Sequence, residues 1–212
     1  MSDVQAKRTG IADRREEILE AAVQVFGRQG FRRGSLRDVA SAVGLSQQGV
    51  LHHFPTKEQL LMATLERYRE LRQAVQHDNG LVAAMRVHLE QDVGSPDRLR
   101  FFITLAAEAT DPEHPAHGYF RDRYRRAFEW ARDGLRLDIQ DGRTPPTVDA
   151  EDAAVRLIAL SDGLQLQYLY RPEMDLLGAY DRNTADLVLT AGRQIGGHPP
   201  DLAQPPGGPT SG

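Results

Sequence analysis

The sequence predicts an all-α protein, and three observations carry that expectation. Apolar residues recur three and four apart along most of the chain, the spacing of one helix face. Ser or Thr followed three residues later by Asp or Gln stands where several of these stripes begin, a capping signature. No stretch of six residues alternates apolar and polar with the β-branched enrichment that a strand needs.

Taken in order, Ile18, Ala22, Val25 and Phe26 share one face of a helix predicted from about Asp13 to Gln29. Gly30 is its natural stop, because a cap residue without a Cβ adopts a left-handed conformation at least cost. Ser35 and Asp38 form a capping box that opens a second helix, with Leu36, Val39, Ala40 and Val43 as its stripe and Gly44 at its end. Ser46 caps a short third helix whose inward residues are Val50 and Phe54, and Pro55 disfavours helical geometry at Phe54. Thr56 with Gln59 opens a long helix through Leu60, Leu61, Leu65, Tyr68, Leu71 and Val75. Beyond Asn79-Gly80, punctuation by Gly, Pro and Asp predicts helices near 80–93, 97–110, 116–140, 149–170 and 174–195, the last broken near Gly178 to Tyr180. Ten of the seventeen residues 196–212 are Gly or Pro, too few apolar groups for a core, so this tail is expected to be disordered. The expected organisation is a flexible arm over 1–10, a three-helix unit over 11–57, a larger helical unit over 58–195, and the tail.

Composition narrows the function classes. The 212 residues are 40% hydrophobic and 26% charged, which suits a folded globular protein. The absence of cysteine excludes disulfides, thiol nucleophiles and cysteine-ligated metal centres. No uncharged apolar run approaches the roughly 18 residues that span a bilayer, and the polar Met1–Gly10 segment lacks the apolar core of a secretory signal. A cytoplasmic protein is therefore expected. The formal net charge of −4 hides an asymmetry: residues 1–60 hold nine Lys/Arg against seven Asp/Glu, and the remainder seventeen against twenty-three. Positive charge gathered at one end suits a polyanionic partner.

The second and third predicted helices, joined by Gly44-Leu45, fit a helix-turn-helix. With Val50 and Phe54 turned to the core, Gln47, Gln48, Leu51 and His52 lie on the opposite face, the face that would enter a major groove. Gln suits bidentate contact with adenine, His can donate to a base or a phosphate, and Gly49 leaves room for close approach. Ser35 and Ser46 begin helices whose first N–H groups can meet phosphates, and Lys57 stands in the first turn of the next helix as a phosphate anchor. On periodicity alone, an ordinary three-helix subdomain with solvated Gln and His fits somewhat better.

The residues themselves carry a closer resemblance. The run from Ile11-Ala12-Asp13-Arg14-Arg15-Glu16-Glu17-Ile18-Leu19 through Phe26, Gly30, Ser35-Leu36-Arg37-Asp38-Val39-Ala40 and Val43-Gly44-Leu45-Ser46 to Phe54-Pro55-Thr56-Lys57-Glu58-Gln59-Leu60-Leu61 closely resembles the tetracycline-repressor (TetR) family. The resemblance implies a homodimeric, ligand-controlled regulator, usually a repressor, that binds double-stranded operator DNA and carries a divergent C-terminal domain for effector binding and dimerisation. An activator or effector-independent regulator of the same fold is the alternative, and a helical enzyme a more remote one. One departure lies in the reading helix, where Leu51 replaces the tyrosine common in the family and cannot offer its hydroxyl to the DNA backbone. The resemblance implies the contact role of Gln47, Gln48 and His52; Ser35, Ser46, Gly49 and Lys57 join them on the physical grounds above, and Arg33 as a loop residue near the expected DNA face, while His53 either touches backbone or covers the next helix. Arg8, Arg14, Arg15 and Arg32 could extend the footprint.

The segment 153–170 is apolar nearly all round, so burial on both sides is expected, most simply one against its own domain and one against a second subunit, the alternative being a monomer that buries it under its own chain. Leu157, Ser161, Gly163, Leu164 and Tyr168 are the expected dimer contacts, with Val188 on a partner helix that also holds Leu187, Leu189 and Ile195. An effector cavity is expected where polar groups interrupt apolar helix stretches: His88, Thr104, Glu108, Asp162 and Gln165. Phe101, Leu105, Tyr124 and Phe128 are the expected apolar lining, which suits an apolar or aromatic small molecule. His114 and His117 beside Asp111 and Glu113 read as an exposed loop rather than a metal site, since no second cluster completes a ligand set. No cofactor is expected. The sequence lacks a Gly-rich phosphate loop, a Gly-x-Ser-x-Gly elbow and a His-Glu-x-x-His pair, which argues against an enzyme.

Overall fold

The computed structural model describes the backbone of residues 2–72 and 79–189 and the side chains of 13–70 and 79–189. Among these residues there are helices and no strands: α1 (Ser2–Arg33), α2 (Leu36–Ala42), α3 (Gln47–His53), α4 (Lys57–Arg72), α5 (Leu81–Val93), α6 (Pro96–Glu108), α7 (His117–Gln140), α8 (Ala150–Tyr170), α9 (Leu176–Thr184) and a 3₁₀ turn (Ala185–Leu187). The side chains of Arg8 and Leu71, together with Val75, Ile195 and the tail 196–212, lie outside the described residues.

Local chemistry explains the boundaries. Ser35 and Asp38 form the capping box at α2, the Ser35 side chain accepting from Asp38 N–H and the Asp38 carboxylate from Ser35 N–H at 3.1 Å. Gly44 turns the chain between α2 and α3 with φ of +66°, a conformation costly for any residue with a Cβ. Ser46 and Thr56 accept the N–H groups of Gly49 and Gln59, each at 3.1 Å, and so start α3 and α4. Two elements differ from expectation. α1 begins at Ser2, so helical backbone runs through most of the segment expected as an arm. Gly178 does not break the last helix: its N–H is capped by the Asp175 carboxylate at 2.9 Å, which makes it the first turn of α9, and the helix ends instead at Thr184.

Packing gathers the described residues into two cores. One core joins Ile18, Phe26, Val39, Val50 and Leu60 to Phe101, Phe102 and Leu105 of α6 and to Phe120 of α7. A second core collects Leu81 and Leu89 of α5, Leu135 of α7, Leu157 and Leu164 of α8, and Tyr180 of α9. Each large side chain fully buried here contributes about 1.5–3 kcal/mol. α6 is thus the floor of the small N-terminal unit, laid along α1 with the Thr104 hydroxyl donating to the Gly27 carbonyl at 3.2 Å.

Candidate nucleic-acid interface and effector cavity

α3 has one buried side and one exposed side. Val50 is fully buried in the core below, while Gln47, Gln48 and His52 are exposed on the outer side. Leu51 is half-buried and packs against the core, so the position lacking the family's tyrosine serves α3's own seating. Gly49 backs onto Leu45, where an added Cβ would meet only ordinary contact at 3.6 Å, so the fold itself does not demand glycine there. His53 is half-buried and its carbonyl lies 3.4 Å from Arg15 Nη1; burial, then the neighbouring His52 and Arg15 charges, lower its pKa.

The basic residues around α3 divide into held and open ones. Arg33 and Arg37 are exposed beside Ser35, and Arg37, on α2, was not singled out from sequence because its surroundings there carry no distinguishing pattern. Arg14 pairs with Glu17 at 2.6 Å, and Arg15 stacks over the Phe54 ring at 4.2 Å, bracing the back of α3. Arg32 is paired with Asp111 from the loop between α6 and α7. Lys57 lies 4.2 Å over the Phe31 ring, and burial lowers its pKa against the opposing pull of Glu58 and Glu108.

The loop 109–116 is exposed at Thr110, Pro112, Glu113 and Pro115, as expected from its prolines, but it buries His114. His114 is buried, edge-on to Phe31 with ring centroids 5.2 Å apart, and its Nε2 faces Glu108 Oε2 at 3.6 Å. Its Nδ1 accepts the Ala116 N–H at 3.2 Å, which fixes the tautomer that carries the proton on Nε2. Burial lowers the His114 pKa, with Glu108 opposing. Among the described residues no cluster of His, Asp and Glu is placed to hold a metal ion.

A cavity of about 360 Å³ opens between α4, α5, α7 and α8. His88, Asp162 and Gln165 line it, as do Tyr68 and Arg69 of α4, Tyr119, Arg123, Arg126 and Trp130 of α7, and Met85, Leu89, Ile158 and Ser161. Phe101, Thr104, Leu105 and Glu108 lie elsewhere: they face α1 and form the floor of the N-terminal unit. Phe128 packs on the second core, and Tyr124, partly exposed, donates to Asp162 of α8 at 2.9 Å. Its hydroxyl, partly desolvated and beside that carboxylate, is pushed up to about 12 and so stays a donor at neutral pH. Most polar groups of the wall are already partnered within the protein. Gln165 Nε2 donates to Asp92 at 2.6 Å, the Tyr68 hydroxyl to the same carboxyl at 3.2 Å, and Ser161 to the Leu157 carbonyl at 2.8 Å.

On α8, Leu157, Ser161 and Leu164 turn into the chain's own core. The opposite stripe is open: Val155, Ala159, Leu166 and Tyr170 are exposed, and a Cβ at Gly163 would meet nothing within 4 Å. Tyr168 is half-buried against the second core, and Val188 is exposed beyond α9. No described helix is long and apolar enough to cross a membrane.

Comparisons with known proteins agree with this arrangement. Residues 18–64 match the model described as bacterial regulatory proteins of the tetR family, and residues 77–188 match that of the BetI-type transcriptional repressor C-terminal domain. The HTH-type transcriptional repressor AcnR of Corynebacterium efficiens is 31% identical over 150 residues, 70% of this chain and 78% of that protein. The HTH-type transcriptional regulator TtgR of Pseudomonas putida is 28% identical over 185 residues, 79% of this chain and 86% of its own length. Among solved structures, a transcriptional regulator of Saccharomonospora viridis in complex with choline superposes with a TM-score of 0.69 at 24% identity, covering 84% of this chain and all of that one. A SmeT–triclosan complex superposes with a TM-score of 0.67 at 23% identity, covering 84% and 92%.

Proposed function

Because the chain belongs to the TetR family of bacterial regulatory proteins, we propose that it is a transcriptional repressor that binds operator DNA as a homodimer and is released by a small molecule held in the α4–α8 cavity. It works on duplex DNA in the cytoplasm and performs no chemistry on its ligand. The observation that carries the reading is α3: Val50 anchors it from below while Gln47, Gln48 and His52 stand exposed on one face. That face suits base edges in the major groove, with Arg33, Ser35, Ser46, His53 and Lys57 around it for the phosphate track.

Release follows from the course of α4. Lys57 begins it beside Phe31 of the reader, and Tyr68 and Arg69 reach the cavity. Eleven residues separate Lys57 from Tyr68, roughly 17 Å of helix, so a guest that shifts Tyr68 tilts the same rigid element that supports α3. About 1.4 kcal/mol of ligand preference for the misaligned state lowers operator affinity tenfold. The dimer forms through the open stripe of α8, Val155, Ala159, Gly163, Leu166 and Tyr170, with Val188 at its margin, rather than through the inward-facing Leu157 and Leu164. A mobility-shift assay on the DNA upstream of the chain's own gene tests the reading. Saturable, sequence-dependent binding supports it, and binding no tighter than to random duplex contradicts it.

A further inference from the structure

The cavity walls carry a chemical asymmetry. Arg69 is engaged by Glu66, Nε to Oε2 at 2.8 Å, Asp162 accepts from Tyr124, and Gln165 and Tyr68 are both held by Asp92. Arg123 and Arg126 differ. They stand three residues apart on α7, the spacing of neighbours on one helix face, and both line the cavity. Arg123 stacks over the Phe102 ring at 4.2 Å and the Tyr124 ring at 5.0 Å, and the positive charge of Arg126 helps to lower the pKa of Glu66, the carboxylate that Arg69 grips directly. The walls from α5 and α8 set apolar Met85, Leu89 and Ile158 among His88, Ser161, Asp162 and Gln165, and Trp130 lies one turn further along α7.

We propose that the ligand of this cavity is a monoanionic organic acid, an apolar body whose single carboxylate is received by Arg123 and Arg126. The proposal rests on the reading of the chain as an effector-responsive regulator and names the chemistry of that effector. The planar guanidinium fork matches a carboxylate in two parallel hydrogen bonds, and stacking on Phe102 holds the Arg123 plane in place before the ligand arrives. The volume of about 360 Å³ is at the small end for ligand sites, which suits a short chain or one aromatic ring. Asp162 on α8 faces the same space and disfavours a guest of higher negative charge.

Trp130 is the chain's single tryptophan and lines the cavity, so its fluorescence reports occupancy without a label. The probes are 4-phenylbutyrate and octanoate, their primary amides, and 4-phenylbutylamine. The acids are expected to change Trp130 emission saturably, and the amides and the amine to bind roughly ten- to a hundredfold more weakly. Arg126→Gln, at an exposed position where the fold is spared, should bring the acids down to the affinity of their amides. Arg123→Lys keeps the charge but loses the fork, and should weaken the acids by a smaller factor. Amides or amine binding as tightly as the acids, acids that never saturate, or an Arg126→Gln protein with unchanged acid affinity would overturn the proposal. Operator binding measured alongside keeps the two readings separate. Release by the amine or an amide but not by the acids leaves the regulator standing and removes the anion, whereas a protein that binds no operator removes the regulator while the titration still decides the cavity's chemistry.

Discussion

Glu108 at the end of α6 holds the reader from below: its Oε2 accepts the Phe31 N–H at 2.7 Å, just after α1 is broken at Gly30. The fit is close, since a Cβ at Gly30, where φ is +76°, would fall 2.1 Å from Glu108 Oε1. Phe31 in turn supports Lys57 and His114. One carboxylate therefore ties the last turn of α1, the start of α4 and the α6–α7 loop together.

Glu108→Ala leaves the Phe31 N–H without its acceptor and should cost about 1–3 kcal/mol of stability. Because Phe31 also seats Lys57, operator affinity should fall while the dimer persists. Chemical denaturation and a mobility shift on the same preparation check this, and unchanged stability would show that the N–H finds another acceptor.

Acid should loosen the same joint. Burial holds the His114 pKa below its ordinary 6.5, so the folded state binds fewer protons than the unfolded one just below that value. Stability is then full above about pH 6.5 and declines as the pH falls through the lowered pKa. The groups facing it are Glu108 and Asp111, which oppose the shift, and Arg32, which adds to it. Melting temperature against pH should show this decline, and His114→Gln should flatten it. An identical acid limb in the variant would assign the decline to other groups.

In the reading helix, Gln48→Ala or His52→Ala should each cost about 1–3 kcal/mol of specific binding and relax base preference at one position per half-site. Lys57→Ala should weaken all sequences alike and reduce the salt slope by about 1. Competition assays over a salt series distinguish the two classes.

The proposed dimer face separates two neighbouring leucines. Leu166→Arg places a charge on the open stripe and should give a folded monomer with weak operator binding, whereas Leu164→Arg buries a charge in the chain's own core and should unfold it. Sedimentation and circular dichroism read both, and a dimeric Leu166→Arg protein would place the interface elsewhere.

These assignments also mark what the sequence could and could not convey. The boundaries around α2, α3 and α4 were legible because Ser35, Ser46 and Thr56 act on groups three residues away, and Gly44 acts on its own backbone. Periodicity reports that a face is buried but not what buries it. Phe101, Thr104, Leu105 and Glu108 were therefore expected at a ligand but support α1 instead. In α8, apolar residues surround the helix, so no period could separate the inward Leu157 and Leu164 from the outward Val155 and Leu166. His114 read as exposed because Pro112 and Pro115 flank it, yet its burial depends on Phe31, eighty-three residues earlier in the chain. His88, Asp162 and Gln165 were legible as polar interruptions of apolar stretches, while Arg123 and Arg126 were hidden in an Arg-rich helix face.

Selection of bound duplexes from a random DNA pool tests the central claim most directly, because it presumes no operator. A dimer reading with two copies of α3 should enrich an inverted repeat whose half-sites are about 34–36 Å apart, or a whole multiple of one helical turn. The same selection with the Gln48→Ala, His52→Ala double variant should lose that enrichment. Enrichment of no sequence by the parent protein, or of the same repeat by the variant, would contradict the account of α3 as the reader.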